Sequence, residues 1–235
     1  MNGQWISIPA ADGSGSFRAY LSLPRAGKGP GLVLAQEIFG VNATMRELAD
    51  EYAQAGYVVA VPDLFWRQQP NVELDYSPEG WQKAFEYYKG FSEDKGAADI
   101  QATLTALRAR PEHVGKAGVL GYCLGGKLAY LSACRTDADI AVGYYGVGIE
   151  NNLAEAEKIR GRLLLHIAAL DQFCPPEAQA KVVAALSGRP GIELHTYPGV
   201  DHAFARPGGD HYDKASAEMA NRRSLAALHE VIGPR

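Results

Sequence analysis

The 235-residue sequence predicts one α/β domain, spanning 1–235, built on a mainly parallel central sheet with helices on both faces. Three observations carry this. Continuous apolar runs such as Gly31-Leu32-Val33-Leu34-Ala35 read as strands buried on both faces, as parallel sheets require. These runs alternate with stretches of helical apolar spacing, the rhythm of successive strand–helix–strand units. No repeat, low-complexity tract or shift in composition divides the chain, and single α/β domains reach this length.

Taken in order, residues 4–9 and 16–24 alternate apolar and polar side chains about Asp12-Gly13-Ser14-Gly15, which reads as an antiparallel pair at a sheet edge. After the strand at 31–35, Thr44-Met45-Arg46-Glu47 offers a capping box for a helix that Ala53, Ala55 and Gly56 end. Residues 57–61 form the next buried strand, closed by Pro62-Asp63. Residues 64–95 then break the rhythm: they are rich in aromatic side chains and lack a strand pattern, so they read as a lid or pocket wall. Within them, Phe65 and Trp66 are the expected pocket residues. Trp81, Phe85 and Tyr88, at helical spacing, are expected to pack a helix on the body. A helix follows at 97–110, stopped by Pro111; further strands are expected at 117–120, 140–145, 163–168 and 192–197, and helices at 176–187 and 214–232.

Composition narrows the function classes. With 47% hydrophobic residues the chain can fill a core, and a net charge of −4 offers no excess of basic charge for nucleic acid. A small-molecule partner is therefore expected. No apolar run approaches membrane-spanning length and the amino terminus lacks the pattern of a leader, so a cytoplasmic protein is expected. Cys123, Cys134 and Cys174 are odd in number and show no C-x-x-C spacing, against a disulfide framework and a structural zinc site. The histidines lack ligand spacing such as H-x-x-x-H, so neither a metal nor a cofactor is expected. A monomer is the default expectation.

The chemistry centres on KAGVLGYCLGGKL at residues 116–128. An apolar strand ends in Gly121-Tyr122-Cys123-Leu124-Gly125-Gly126, after which Leu124, Leu128 and Leu131 recur at helical spacing. This is a strand, a tight turn and a helix: a nucleophile elbow with sulfur in place of the usual serine oxygen. Cys123 is thereby expected at the carboxyl edge of the sheet and at a helix N-terminus, where positive partial charge favours a thiolate. Downstream, Asp171 follows the strand at 163–168 and His202 follows the strand at 192–197. The chain order of nucleophile, acid and base is that of the α/β-hydrolase fold. Asp201 adjoins the histidine, but neighbours in a loop seldom face each other, and Asp63 stands in the wrong order. His166 and His195 lie within strands and read as packing residues.

The sequence resembles the dienelactone hydrolase family, the cysteine-dependent branch of the α/β-hydrolases. The matching stretches are QEIFGVN at 36–42, VPDLF at 61–65, GYCLGGKLAY at 121–130, VGYYGVGIE at 142–150 and DHAFARP at 201–207. The resemblance implies Cys123 as nucleophile, His202 as base and Asp171 as its orienting acid. It also implies that Glu37 contacts the resting cysteine and helps take its proton, and that the N–H groups of Ile38 and Leu124 form the oxyanion hole. Placement agrees for Leu124, which directly follows the nucleophile at a helix N-terminus. Tyr145 and Arg206 would line the substrate pocket, with Arg206 gripping a substrate carboxylate. Phe39, Trp66, Tyr122 and Phe173 complete the expected substrate-binding set. Two departures from the family's best-matched members stand out: residues 79–89 hold Lys83 and Lys89 but no arginine, and Ala203 replaces a serine after the histidine. Trp81 suggests a more apolar wall there.

The nucleophile limits the substrate. A thiol, with a pKa near ~8.5, leaves a tetrahedral intermediate more readily than an alcohol, so acylation requires a good leaving group on the substrate. Enol lactones and aryl esters qualify. The expected reaction opens an enol lactone through a thioester, and for a dienelactone the family implies maleylacetate as product. Two alternatives share these residues: a broader cysteine carboxylesterase or thioesterase, and a catalytically silent ligand-binding α/β-hydrolase, against which the intact Cys123, His202 and Asp171 count.

Overall fold

The computed structural model describes residues 3–233; residues 1–2 and 234–235 of the expected 1–235 unit lie outside the described residues. The strands are β1 (Gln4–Pro9), β2 (Ser16–Ser22), β3 (Gly29–Ala35), β4 (Val58–Pro62), β5 (His113–Tyr122), β6 (Ile140–Tyr144), β7 (Arg162–Ala168) and β8 (Ile192–Tyr197). The helices are α1 (Ala43–Gln54), α2 (Pro78–Lys89), α3 (Glu93–Arg108), α4 (Leu124–Arg135), α5 (Pro176–Leu186) and α6 (Lys214–Ile232), with a 3-10 helix at Ile149–Lys158.

The strands join in one sheet in the order β1-β2-β4-β3-β5-β6-β7-β8. β2 runs antiparallel to both neighbours, and every pairing from β4 across to β8 is parallel. Alternation along β3 shows how the sheet is covered. Leu32 and Leu34 join the core under α1 and α6, whereas Val33 and Ala35 join the core under α3 and α4. Both faces are therefore apolar and both are buried, which explains the unbroken hydrophobic run. After β3 the chain steps outward to β4, then returns across the sheet to β5. The loops after β3 and β5 diverge at this reversal and leave a crevice at the carboxyl ends of the strands.

One helix start differs from expectation. The N-cap of α1 is Asn42, whose side-chain oxygen accepts from the Met45 N–H at 3.2 Å, rather than a box beginning at Thr44. The Asn42 amide also donates to the Leu74 carbonyl at 3.1 Å, so a contact distant in sequence fixes where the helix begins. The 64–95 segment, read as a loop with one helical stripe, contains all of α2 and the first turn of α3. Ser77 caps α2 through Gly80 N–H at 3.1 Å, and Pro78 occupies its first turn. No helix among the described residues is long and apolar enough to cross a membrane.

Candidate active site

Cys123 alone joins β5 to α4, with φ +55° and ψ −115°. A side chain with positive φ is strained by roughly 1–3 kcal/mol unless its surroundings fix it. Here they do: the Cys123 N–H donates to Tyr144 O at 3.0 Å, and its carbonyl accepts from the N–H groups of Gly126 and Lys127 at 2.9 and 3.2 Å. The flanking glycines permit close backbone approach. A Cβ on Gly125 would lie 2.2 Å from the Ala35 carbonyl oxygen, so the elbow presses directly on the end of β3. That contact carries the Glu37-Ile38 loop to the sulfur's side of the crevice.

The loops after β7 and β8 supply the acid and the imidazole. Asp171 Oδ2 lies 2.9 Å from His202 Nδ1, and its Oδ1 accepts from Phe173 N–H at 2.9 Å. Both side chains are buried. Asp201 is occupied elsewhere: its Oδ1 accepts from the N–H groups of Gln172 at 2.9 Å and His202 at 2.6 Å, which ties the two loops together. Burial by itself would lower the His202 pKa. The charge of the Cys123 sulfur and the hydrogen bonds with Asp171 and Cys123 outweigh burial and raise it to about 10. The arrangement thus favours the charged imidazolium form of His202. His166, by contrast, is buried between Tyr197 and Ser224 hydroxyls, both at 2.9 Å, and burial holds it neutral as a packing residue.

Glu37 is buried beside these groups but makes no hydrogen bond to Cys123 among the described residues, contrary to the contact that the resemblance implied. Its Oε2 instead lies 3.4 Å from Arg206 Nη1 and accepts from the Tyr76 hydroxyl at 3.5 Å. A buried carboxylate is stabilised far more by a guanidinium than by a thiol, which accounts for the pairing. Glu37 Oε1, Arg206 Nε and the Tyr145 hydroxyl are buried without a hydrogen-bond partner among the described residues. Unmatched groups of this kind are costly to bury and mark a place where a ligand can supply partners. Tyr145 also packs edge-on against the His202 ring, with centroids 5.0 Å apart.

Ile38, Leu124, Cys123 and His202 border one small cavity of about 50 Å³, walled by Trp81, Phe85, Tyr88, Val147 and Phe173. Leu124 is the first residue of α4, so its N–H has no intrahelical acceptor and is free for an oxyanion. A larger cavity of about 430 Å³ adjoins it, bordered by Tyr76, Arg206, His211 and again Trp81, Phe85, Phe173 and His202.

Several expected pocket residues lie elsewhere. Trp66 stacks on Phe17 and donates its indole N–H to Asp99 Oδ2 at 2.9 Å, and buried Phe65 packs on Tyr87 and Phe91. Both lie in the loop after β4 and border neither the cavity at Cys123 nor the one at Arg206. Tyr122 points to the opposite side of the sheet, stacking on Tyr144 and reaching the Tyr52 hydroxyl at 3.3 Å, because strand alternation turns it from the site. Phe39 is fully buried behind the wall, edge-on to Tyr76 and Trp81. The stripe expected to be mere packing, Trp81, Phe85 and Tyr88, is the wall itself. Tyr76, the partner of Glu37, carried no signal in the sequence beyond being aromatic.

A parallel sheet with one antiparallel strand, a strained elbow at its centre and an Asp–His pair on the last two strand ends define an α/β-hydrolase. The chain belongs to the dienelactone hydrolase family, whose model matches residues 17–232. The carboxymethylenebutenolidase of Pseudomonas putida is 37% identical over 95% of this chain and 94% of its own length. Carboxymethylenebutenolidase 1 of Cupriavidus pinatubonensis is 37% identical over 97% of each chain. A curated relative from Azospirillum brasilense reaches 46% over 97% of this chain and 99% of its own. In overall fold the chain superposes with a TM-score of 0.81 on a dienelactone hydrolase-like promiscuous phosphotriesterase from metagenomic libraries, covering 98% of this chain and 99% of that one at 20% identity. Membership makes the chain a carboxylic ester hydrolase of the carboxymethylenebutenolidase type, in a family that acts on dienelactone-type lactones. Among the described residues no group of three or more His, Cys, Asp or Glu side chains could hold a metal.

Proposed function

We propose that this chain opens enol lactones with Cys123 as nucleophile, working as a single α/β-hydrolase domain with 64–95 as pocket wall. The Cys123 thiolate attacks the lactone carbonyl, and the tetrahedral oxyanion is held by the N–H groups of Ile38 and Leu124. Collapse breaks the ring C–O bond, the enolate oxygen of the opened ring takes the proton of the His202 imidazolium, and the acyl group stays on Cys123 as a thioester. His202 then takes a proton from water, the resulting hydroxide attacks the thioester, and the thiolate departs. Asp171 holds the imidazole by Nδ1, leaving Nε2 for the reaction. Arg206 recruits a substrate carboxylate in competition with Glu37, and the freed Glu37 is available as a proton acceptor. Three unbridged cysteines support a reducing compartment for such a thiol.

The single observation that carries this reading is the convergence of a strained Cys123 elbow with a buried His202 held at 2.9 Å by Asp171. A second reading, a broader cysteine carboxylesterase, draws support from the aromatic wall facing the sulfur. Steady-state hydrolysis of cis and trans dienelactones beside p-nitrophenyl acetate, with Cys123→Ala as control, separates them. Lactone preference by orders of magnitude, abolished in the variant, is expected. Turnover of the aryl ester alone would favour the esterase, and an active Cys123→Ala would remove the nucleophile assignment.

A further inference from the structure

We infer that Trp81, Phe85 and Tyr88 of α2 form an acyl-side subsite that selects substrates with an apolar chain or ring on the carbonyl carbon. The inference rests on Cys123 being the nucleophile. With the carbonyl carbon at the sulfur and its oxygen directed to the N–H groups of Ile38 and Leu124, two directions remain for the substrate. The departing oxygen must face His202, the group able to protonate it, and His202 also borders the large cavity that holds Arg206 and His211. The acyl substituent is therefore left with the small cavity, whose remaining wall is aromatic and aliphatic. Among the described residues no cationic side chain apart from His202 borders that cavity, so a second carboxylate would be desolvated there without a partner.

The wall is built to receive an apolar group. Trp81 is fixed edge-on against Phe39 with centroids 4.8 Å apart and leans on Phe85 at 5.5 Å, so its ring is held in place before substrate arrives. Phe85 is 37% exposed and Phe173 36%, and their rings stand 6.4 Å apart across the entrance. These faces are wet in the free protein, and an apolar substituent would cover them. The cavity of about 50 Å³ exceeds what one water molecule needs and suits a short chain.

The test is a series of p-nitrophenyl esters with a constant leaving group: acetate, propionate and butyrate. Each buried methylene should raise kcat/KM by about threefold to fourfold, so butyrate should exceed acetate by roughly tenfold. Phe85→Ala, at a half-exposed site where folding is safe, should reduce that ratio below threefold, and Trp81→Ala should do the same. A flat series in the wild type, with turnover still dependent on Cys123, would overturn the subsite and leave the nucleophile standing. If no ester turns over and mass spectrometry finds no acyl group on Cys123, the nucleophile reading and the subsite fall together.

Discussion

Gly125→Ala tests the contact that aligns the two halves of the site. The added methyl carbon would lie 2.2 Å from Ala35 O, 2.7 Å from Ala35 C and 2.8 Å from Gln36 O. All three are backbone atoms at the end of β3, so no rotamer change relieves the overlap. Real Cβ contacts essentially never fall below 3.0 Å, so the end of β3 and the start of α4 must part by at least 3.0 − 2.2 = 0.8 Å. The N–H of Leu124 rides on α4 and that of Ile38 follows β3, so their separation grows by a similar amount. Misplacement by about 1 Å, or loss of one oxyanion donor, costs roughly a hundredfold, and kcat for p-nitrophenyl acetate should fall about that far. Overpacking costs about 1–3 kcal/mol, which for a chain of this size lowers Tm by about 2–12 °C, so the variant should remain folded at assay temperature. Alkylation of Cys123 by iodoacetamide uses no oxyanion hole and should change by no more than a few-fold. A folded Gly125→Ala protein with wild-type kcat would refute the reasoning, because the close approach would then not set the geometry of the two donors.

Asp171→Asn keeps the shape but loses the charge, and its single acceptor oxygen cannot serve both Phe173 N–H and His202 Nδ1–H, so the tautomer is no longer fixed and kcat at pH 7 should drop on the order of a thousandfold or more. A loss under tenfold would point to another orienting group. For pH, the folded pKa of His202 is raised from the ordinary 6.5 of an imidazole to about 10. Its contribution to stability is therefore fully present below pH 6.5 and is lost as pH rises through about 10. Urea midpoints of the wild type minus those of His202→Gln should shrink over that interval, and a difference that grows would contradict the charged imidazole. Arg206→Lys keeps the charge but loses the planar fork, so the ratio of lactone to aryl-ester kcat/KM should fall about tenfold or more; an unchanged ratio would mean that Arg206 does not grip the carboxylate. Asn42→Ala removes the α1 cap and its bond to the Leu74 carbonyl, lowering stability by about 1–2 kcal/mol in denaturant titrations at constant m-value.

The reach of the sequence can be traced residue by residue. The buried strands were legible because a parallel sheet covered on both faces leaves an unbroken apolar run, as in residues 31–35. The elbow was legible because its turn has a local composition, and Asp171 and His202 because strand ends can be counted along the chain. Tyr122 was assigned to the pocket although alternation along β5 turns it to the opposite face; its adjacency to Cys123 in sequence was the wrong guide. The stripe Trp81, Phe85, Tyr88 was read as packing because helical periodicity reveals that a helix has an apolar face, never what that face meets.

By itself, then, the sequence determined the α/β class, the position of the elbow and the order of Cys123, Asp171 and His202 at successive strand ends, since each rests on spacing within a few residues or on the succession of elements. Tertiary structure alone decided that Asp201 caps the N–H groups of Gln172 and His202, that Glu37 pairs with Arg206 and Tyr76, and that α2 walls the crevice. Those choices depend on how loops far apart in the chain approach one another once the sheet has formed. Through-space geometry, and the burial that strengthens or penalises each charge, is not encoded in any local pattern.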